Sequence, residues 1–155
     1  MKELVLGIGN TLNGDDGVGI YVAEKLSKAK LSGAERELIA ISAGTTPENY
    51  TSVIRHHKPD ILILVDAADM GLSPGSYRII PLEKIEIMHF STHNLPLSFF
   101  ISYLGEFCGE VKLVGIQPDK MDVGMALSSV VQSSGDRVVN LIVKQRLNEV
   151  KLLER

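Results

Sequence analysis

The sequence predicts an α/β fold: a three-layer sandwich in which a five-stranded, twisted, mostly parallel sheet with one antiparallel edge strand lies between helices. Three observations predict it. Short apolar runs alternate with helical patterns along most of the chain, the connectivity that builds a parallel sheet with helices on both faces. After its first residue, Asp60–Val65 is continuously apolar, as a central strand covered on both faces requires. Tyr77–Ile80 follows that strand across only a Ser73-Pro74-Gly75 turn, with no helical crossover between, which places it antiparallel at an edge. At 155 residues the chain is expected to form a single domain spanning 1–155, long enough to bury its core without disulfide or metal staples.

Leu4–Ile8 reads as a buried first strand, and Gly17 to Ala29 as a helix with Val18, Val22 and Leu26 on one face. Glu37–Ser42 is the second strand, closed by Gly44. Pro47 suits the first turn of a helix that follows Thr46 and runs to His57. The third strand ends in Asp66-Ala67-Ala68-Asp69. Ile85–Asn94 shows no clear period. Pro96–Phe107 reads as an apolar helix, Lys112–Ile116 as a strand and Met125–Leu152 as one long terminal helix.

Composition excludes several classes. An apolar content of 45% with 23% charged residues is that of a soluble globular protein. A net charge of −3 and the lack of a basic cluster argue against nucleic acid as a partner. One cysteine forbids an intrachain disulfide and a thiolate-rich zinc site. The apolar run after Lys2 and Glu3 is too short for a membrane span or a signal peptide, so a cytoplasmic, membrane-free protein is expected.

The richest stretch is Gly7-Ile-Gly-Asn-Thr-Leu-Asn-Gly-Asp-Asp-Gly-Val-Gly19, a strand, a glycine loop and a helix start. That layout commonly holds phosphate, and Gly9-x4-Gly14 opens like a P-loop. The lysine such a loop needs is replaced by Asp15 and Asp16, which would repel phosphate. Leu12 removes the third glycine of a dinucleotide fingerprint. The two acids either start the helix or hold a cation, and one can do each. Ligands gather at the carboxyl ends of parallel strands, which is where Asp16, Asp66 and the segment carrying His93 converge. Asp69 reads as a turn or surface residue.

His56 and His57 fall at a helix C-terminus, where partial positive charge offsets the dipole. His89 and His93 are spaced i,i+4, but Ser91, Thr92 and Pro96 favour a loop, and local pattern leaves either one open as a ligand. Cys108 reads as a small core residue within the apolar helix.

Together, Gly7-Ile-Gly-Asn10, Gly14-Asp-Asp-Gly17, Pro47-Glu-Asn49, Val65-Asp-Ala-Ala-Asp-Met-Gly71, Thr92-His-Asn-Leu-Pro-Leu97 and Gly115-Ile-Gln-Pro-Asp119 span nearly the whole chain. In them the sequence resembles the hydrogenase maturation protease family, most closely the type serving hydrogenase 3. The resemblance implies a five-stranded sheet between helices and an endopeptidase. Its partner would be a [NiFe]-hydrogenase large-subunit precursor, from which it removes a C-terminal extension after nickel insertion. It implies Asp16, Asp66 and His93 as ligands of Ni2+ or another divalent cation, with the nickel carried by the substrate. Asp16 and Asp66 are then also the catalytic acids of an aspartic-type or metal-assisted hydrolysis. A monomer is expected. Ser42-Ala-Gly-Thr45 departs from the family's usual Asp-Gly-Gly-Thr/Ser, and Ser42 cannot serve as a carboxylate base.

On chemistry, two carboxylates and an imidazole suit a borderline cation such as nickel, with positions left over for substrate or water. The attacking water could be activated by the metal or by a carboxylate. The rival reading is a receiver-like, phospho-accepting signalling domain, which also sets acids near its first and third strands. Against it, the acid pair is set back by a glycine loop, and Gln117-Pro118 stands where a receiver carries lysine before proline.

Overall fold

The computed structural model describes residues 1–31, 35–87, 89–90 and 97–154. Its strands are β1 (Lys2–Ile8), β2 (Glu37–Gly44), β3 (Ile61–Asp69), β4 (Tyr77–Ile79), β5 (His89–Phe90) and β6 (Glu110–Ile116). Its α-helices are α1 (Val18–Ser27), α2 (Thr51–His57), α3 (Leu97–Leu104) and α4 (Ser129–Val143). The main sheet runs β2-β1-β3-β6-β4, parallel except for β4, which pairs antiparallel with β6 at the edge. The short β5 lies off that path and pairs antiparallel with the far end of β3.

Period-two burial divides the core into two apolar layers. Leu4, Leu6, Ile8, Leu62, Leu64 and Leu113 pack with Ile54 of α2 and Phe100, Ile101 and Leu104 of α3. Val5, Ile63, Val65, Val114 and Ile116 pack with Val18, Val22 and Leu26 of α1 and with Val131, Val138 and Ile142 of α4. The expected three layers are therefore present. At the foot of the sheet, Arg36 joins β1 to α4. Its Nε donates to buried Glu3 at 2.5 Å, and its terminal nitrogens donate to the Ile142 and Val143 carbonyls that end the helix.

Most boundaries fall within two residues of the sequence expectation, and three elements differ by more. β3 continues past Val65 to Asp69, because Ala67 and Ala68 stay buried and Ala68 and Asp69 pair with β5. The third predicted helix ends at Leu104, which leaves Cys108 in the connection before β6. The long terminal helix is shorter than its pattern at both ends, spanning Ser129–Val143 rather than Met125–Leu152. It stops where Gln145 takes a left-handed φ of 56° and Arg146 N donates back to Leu141 O at 2.8 Å.

A single 3₁₀ turn, Leu147–Glu149, follows α4, and the chain then runs beside β4. Ile79 N donates to Lys151 O and Leu153 N to Ile79 O, both at 2.9 Å, which covers the open sheet edge. Leu147, Val150 and Leu153 are buried, and their spacing is what reads as helix in the sequence. Among the described residues, no helix is long and apolar enough to cross a membrane.

Candidate active site

The loop after β1 is built from local hydrogen bonds. Asn10 Oδ1 accepts from Leu12 N at 2.9 Å, and Gly9 N donates to Gly44 O at 2.9 Å, tying the loop to the end of β2. Next comes a 3₁₀ turn, Gly14–Gly17, that carries both acids and packs against β3. The helix α1 begins at once, and only glycine fits at Gly19. A Cβ there would overlap the carbonyl oxygens of Ile8 and Val65. This close approach seats the start of α1 on the carboxyl end of β1 and on β3 at Val65. Asp66 is the residue after Val65, and Asp16 lies one turn before Gly19. Both acids thus sit at one end of the sheet, on elements in direct contact. Asp66 is 0% and Asp16 1% exposed, and Asp16 Oδ2 and Asp66 Oδ1 are sealed from solvent.

Asp15 does something else. Its Oδ2 accepts from Asp119 N at 2.9 Å, Lys120 N at 3.0 Å and Ser128 Oγ at 2.8 Å, and its Oδ1 accepts from Ser128 N at 2.7 Å. Such charge-assisted bonds are the strong kind, and they pin the loop between β6 and α4 to the first loop. Asp15 lies in the first turn of the 3₁₀ segment, where the helix-starting reading puts it, but its carboxylate bonds run to the β6–α4 loop and to Ser128 just before α4. Neither Asn13 before the 3₁₀ turn nor Gly17 before α1 shows a side-chain cap, and Asp15 works across a separation of more than one hundred residues.

Asp69 is the last residue of β3 and exposed, as the surface reading expects, and its Oδ1 accepts from Gly71 N at 3.2 Å in the turn that follows. Sequence reasoning missed the role of Gln117. Its Oε1 accepts from Met70 N at 2.7 Å and Leu72 N at 3.3 Å, and its Nε2 donates to Asp69 Oδ1 at 3.2 Å. It locks the loop after β3, and with it the segment just beyond Asp66. No local pattern announces either this role or that of Asp15, because the partners are distant in the chain.

Ser42 is exposed on β2, two residues before Gly44, which has a φ of 63° and open space where a Cβ would stand. His93 lies outside the described residues, and of His89 only the backbone placement opposite Asp69 is described. Among the described residues, no group of three His, Cys, Asp or Glu side chains is placed to hold a metal ion. His56 and His57 close α2 and meet edge to face, with ring centroids 5.4 Å apart. Half-buried Cys108 packs against the α2–α3 layer, and burial pushes its thiol above the ordinary 9.0. The structure thus brings Asp16 and Asp66 to one end of the sheet, commits the Asp15 carboxylate to the loop between β6 and α4, and leaves Cys108 in the connection before β6.

Comparisons with known proteins agree with this architecture. A family model described as hydrogenase maturation protease matches residues 20–145. The hydrogenase 3 maturation protease of Escherichia coli K12 is 43% identical over 120 residues, covering 77% of this chain and 74% of that protein. The solution structure of the endopeptidase HycI from Escherichia coli superposes with a TM-score of 0.88 at 35% identity, covering 99% of this chain and 97% of that one. A [NiFe] hydrogenase maturation protease HycI from Thermococcus kodakarensis gives a TM-score of 0.80 at 32% identity, over 96% of this chain and 93% of that one.

Proposed function

This chain belongs to the hydrogenase maturation protease family, and on that membership we propose that it removes the C-terminal extension of a [NiFe]-hydrogenase large-subunit precursor after nickel insertion. The observation that carries the reading is the pair of buried carboxylates, Asp16 in the turn after β1 and Asp66 in β3, level with the carboxyl end of β1. Buried acids are rare unless partnered or functional, and two from separate elements at one sheet end mark a site.

The nickel is part of the substrate. Asp16 and Asp66, with His93 of the Thr92-His-Asn94 segment, complete its shell, a donor set of two carboxylates and an imidazole that suits a borderline cation. His93 must be neutral to coordinate, so engagement falls as pH drops below about 6. Binding through the shared nickel positions the scissile bond and makes cleavage wait for metal insertion.

For the chemistry, one of the two carboxylates accepts a proton from the attacking water. The water oxygen bonds to the scissile carbonyl carbon, and the proton passes to the amine nitrogen as the C–N bond breaks. The protein works as a monomer in the cytoplasm, where its precursor resides.

The rival receiver reading has no support. In that fold the strands are parallel, in the order 2-1-3-4-5. Here the edge strand β4 is antiparallel, and Gln117 is held by backbone hydrogen bonds.

The test is intact-mass analysis of the precursor incubated with this protein, with and without prior nickel loading. Loss of a short C-terminal peptide from the loaded form alone is the expected result. An Asp66→Ala protein that cleaved loaded precursor at the wild-type rate would overturn the shared-nickel reading.

A further inference from the structure

Beside the buried acids, the surface carries apolar side chains that the fold holds outward. Val123 is 84% and Leu12 69% exposed, and Met121 and Met125 are exposed as well. They sit on two loops joined backbone to backbone. Gly124 N donates to Leu12 O at 2.8 Å, Asp15 N to Lys120 O at 2.8 Å and Gly14 N to Met125 O at 3.2 Å. The Asp15 carboxylate then clamps Asp119, Lys120 and Ser128 from beneath. Scattered exposed leucines mean little, but apolar side chains gathered on two mutually bonded loops mark a contact surface. A fold that stakes a buried, multiply bonded aspartate on the second loop keeps these side chains from folding back into the core.

We propose that Leu12, Met121, Val123 and Met125 form the surface on which the folded body of the hydrogenase precursor docks while its C-terminal segment reaches Asp16. The proposal rests on the function argued above. The occupant follows from continuity. The patch is on the same loop as Asp16, four residues from Leu12, and the second loop is bonded to Gly14 and Asp15. On this proposal, a polypeptide that presents a bond to Asp16 rests its folded body on the two loops beside it. The docking also accounts for specificity: the nickel selects loaded substrate, and the rim selects the protein that carries it.

The experiment measures the affinity of nickel-loaded precursor for the wild-type chain, for Leu12→Ser/Val123→Ser, for Met125→Ser and for Leu82→Ser. Leu82 is an exposed leucine beyond the end of β4, at the opposite end of the sheet, and serves as the control. All targets are solvent-exposed, so melting temperatures should match wild type and report any loss of fold. The expected result is a Kd about tenfold or more weaker for the double variant, with KM for cleavage rising in parallel. Met125→Ser falls between it and wild type, and the Leu82→Ser affinity is unchanged.

Wild-type affinity in the double variant would overturn the docking surface while leaving the protease reading intact. A wild-type chain that sediments as a dimer, and as a monomer once Leu12 and Val123 are replaced, would assign the patch to a second copy and overturn the proposal. Failure of the wild-type chain to bind or cleave loaded precursor would overturn the function itself, and the docking with it.

Discussion

Adjacent in sequence and equally buried, Asp15 and Asp16 are separated by what surrounds their oxygens. Asp15 receives hydrogen bonds from Asp119 N, Lys120 N and Ser128 N and Oγ. Asn at that position turns an amide donor toward backbone donors and removes the charge that strengthens the bonds. Asp15→Asn is therefore expected to destabilise the fold by about 2–4 kcal/mol, read as a lower urea midpoint with an unchanged m-value. Asp16→Asn and Asp66→Asn should do the reverse, abolishing cleavage of nickel-loaded precursor by about a hundredfold or more while leaving a folded protein. A clean separation of stability from activity between neighbouring aspartates is the measurement that tells the anchor from the active acid. Cys108 makes a pH-dependent case. Its thiol is raised from 9.0 by burial, so the fold favours the neutral form. The stability this contributes is fully present below the ordinary thiol pKa and is lost as pH rises through the raised folded value. Iodoacetamide at pH 8 should accordingly alkylate the native chain more slowly than the urea-unfolded chain. Equal rates would mean that burial does not protect the thiol.

Among the elements, the terminal segment after α4 bears most on the sheet. It covers the outer edge of β4 through Ile79 and buries Leu147, Val150 and Leu153. Ending the chain at Arg146 removes three apolar side chains worth about 1.5–3 kcal/mol each and bares an edge strand. The expected result is a marginal, concentration-dependent fold that associates on sedimentation; a stable monomer would show that the edge needs no cover. This segment also shows where the sequence stops being legible. Val138 and Ile142, then Leu147 and Val150, each keep a helical spacing of four or three residues, and no glycine or proline announces the break between them. The break comes instead from Gln145 in a left-handed conformation and from pairing with β4, a partner some seventy residues away. The central place of β3 and the antiparallel edge strand β4 were legible because they follow from local features: the apolar 61–65 run and the crossover-free Pro74-Gly75 turn. Asp66 was legible as the residue that closes the fully apolar run and Asp16 as part of the loop after β1, although β3 itself runs on to Asp69. The roles of Asp15 and Gln117 were not, since each is defined by backbone groups that only the folded chain brings near.

For the molecule as a whole, two apolar layers enclose the sheet, and the two buried carboxylates interrupt them near the carboxyl end of β1, Asp16 in the turn after that strand and Asp66 within β3 beside it. On the proposed function, stability and metal engagement belong to different parts. A ligand stabilises a fold only by the free energy of binding the native state, so a metal that arrives with the substrate leaves the free protein's melting temperature untouched. The melting curve of the purified chain should therefore coincide, to within about 1 °C, with and without excess EDTA. Chelation that strips nickel from the precursor should nevertheless abolish cleavage, and reloading the precursor alone should restore it. A melting temperature several degrees lower in EDTA, reversed by adding nickel to the free protein, would instead mean that the chain carries its own cation and that the checkpoint does not reside in the substrate.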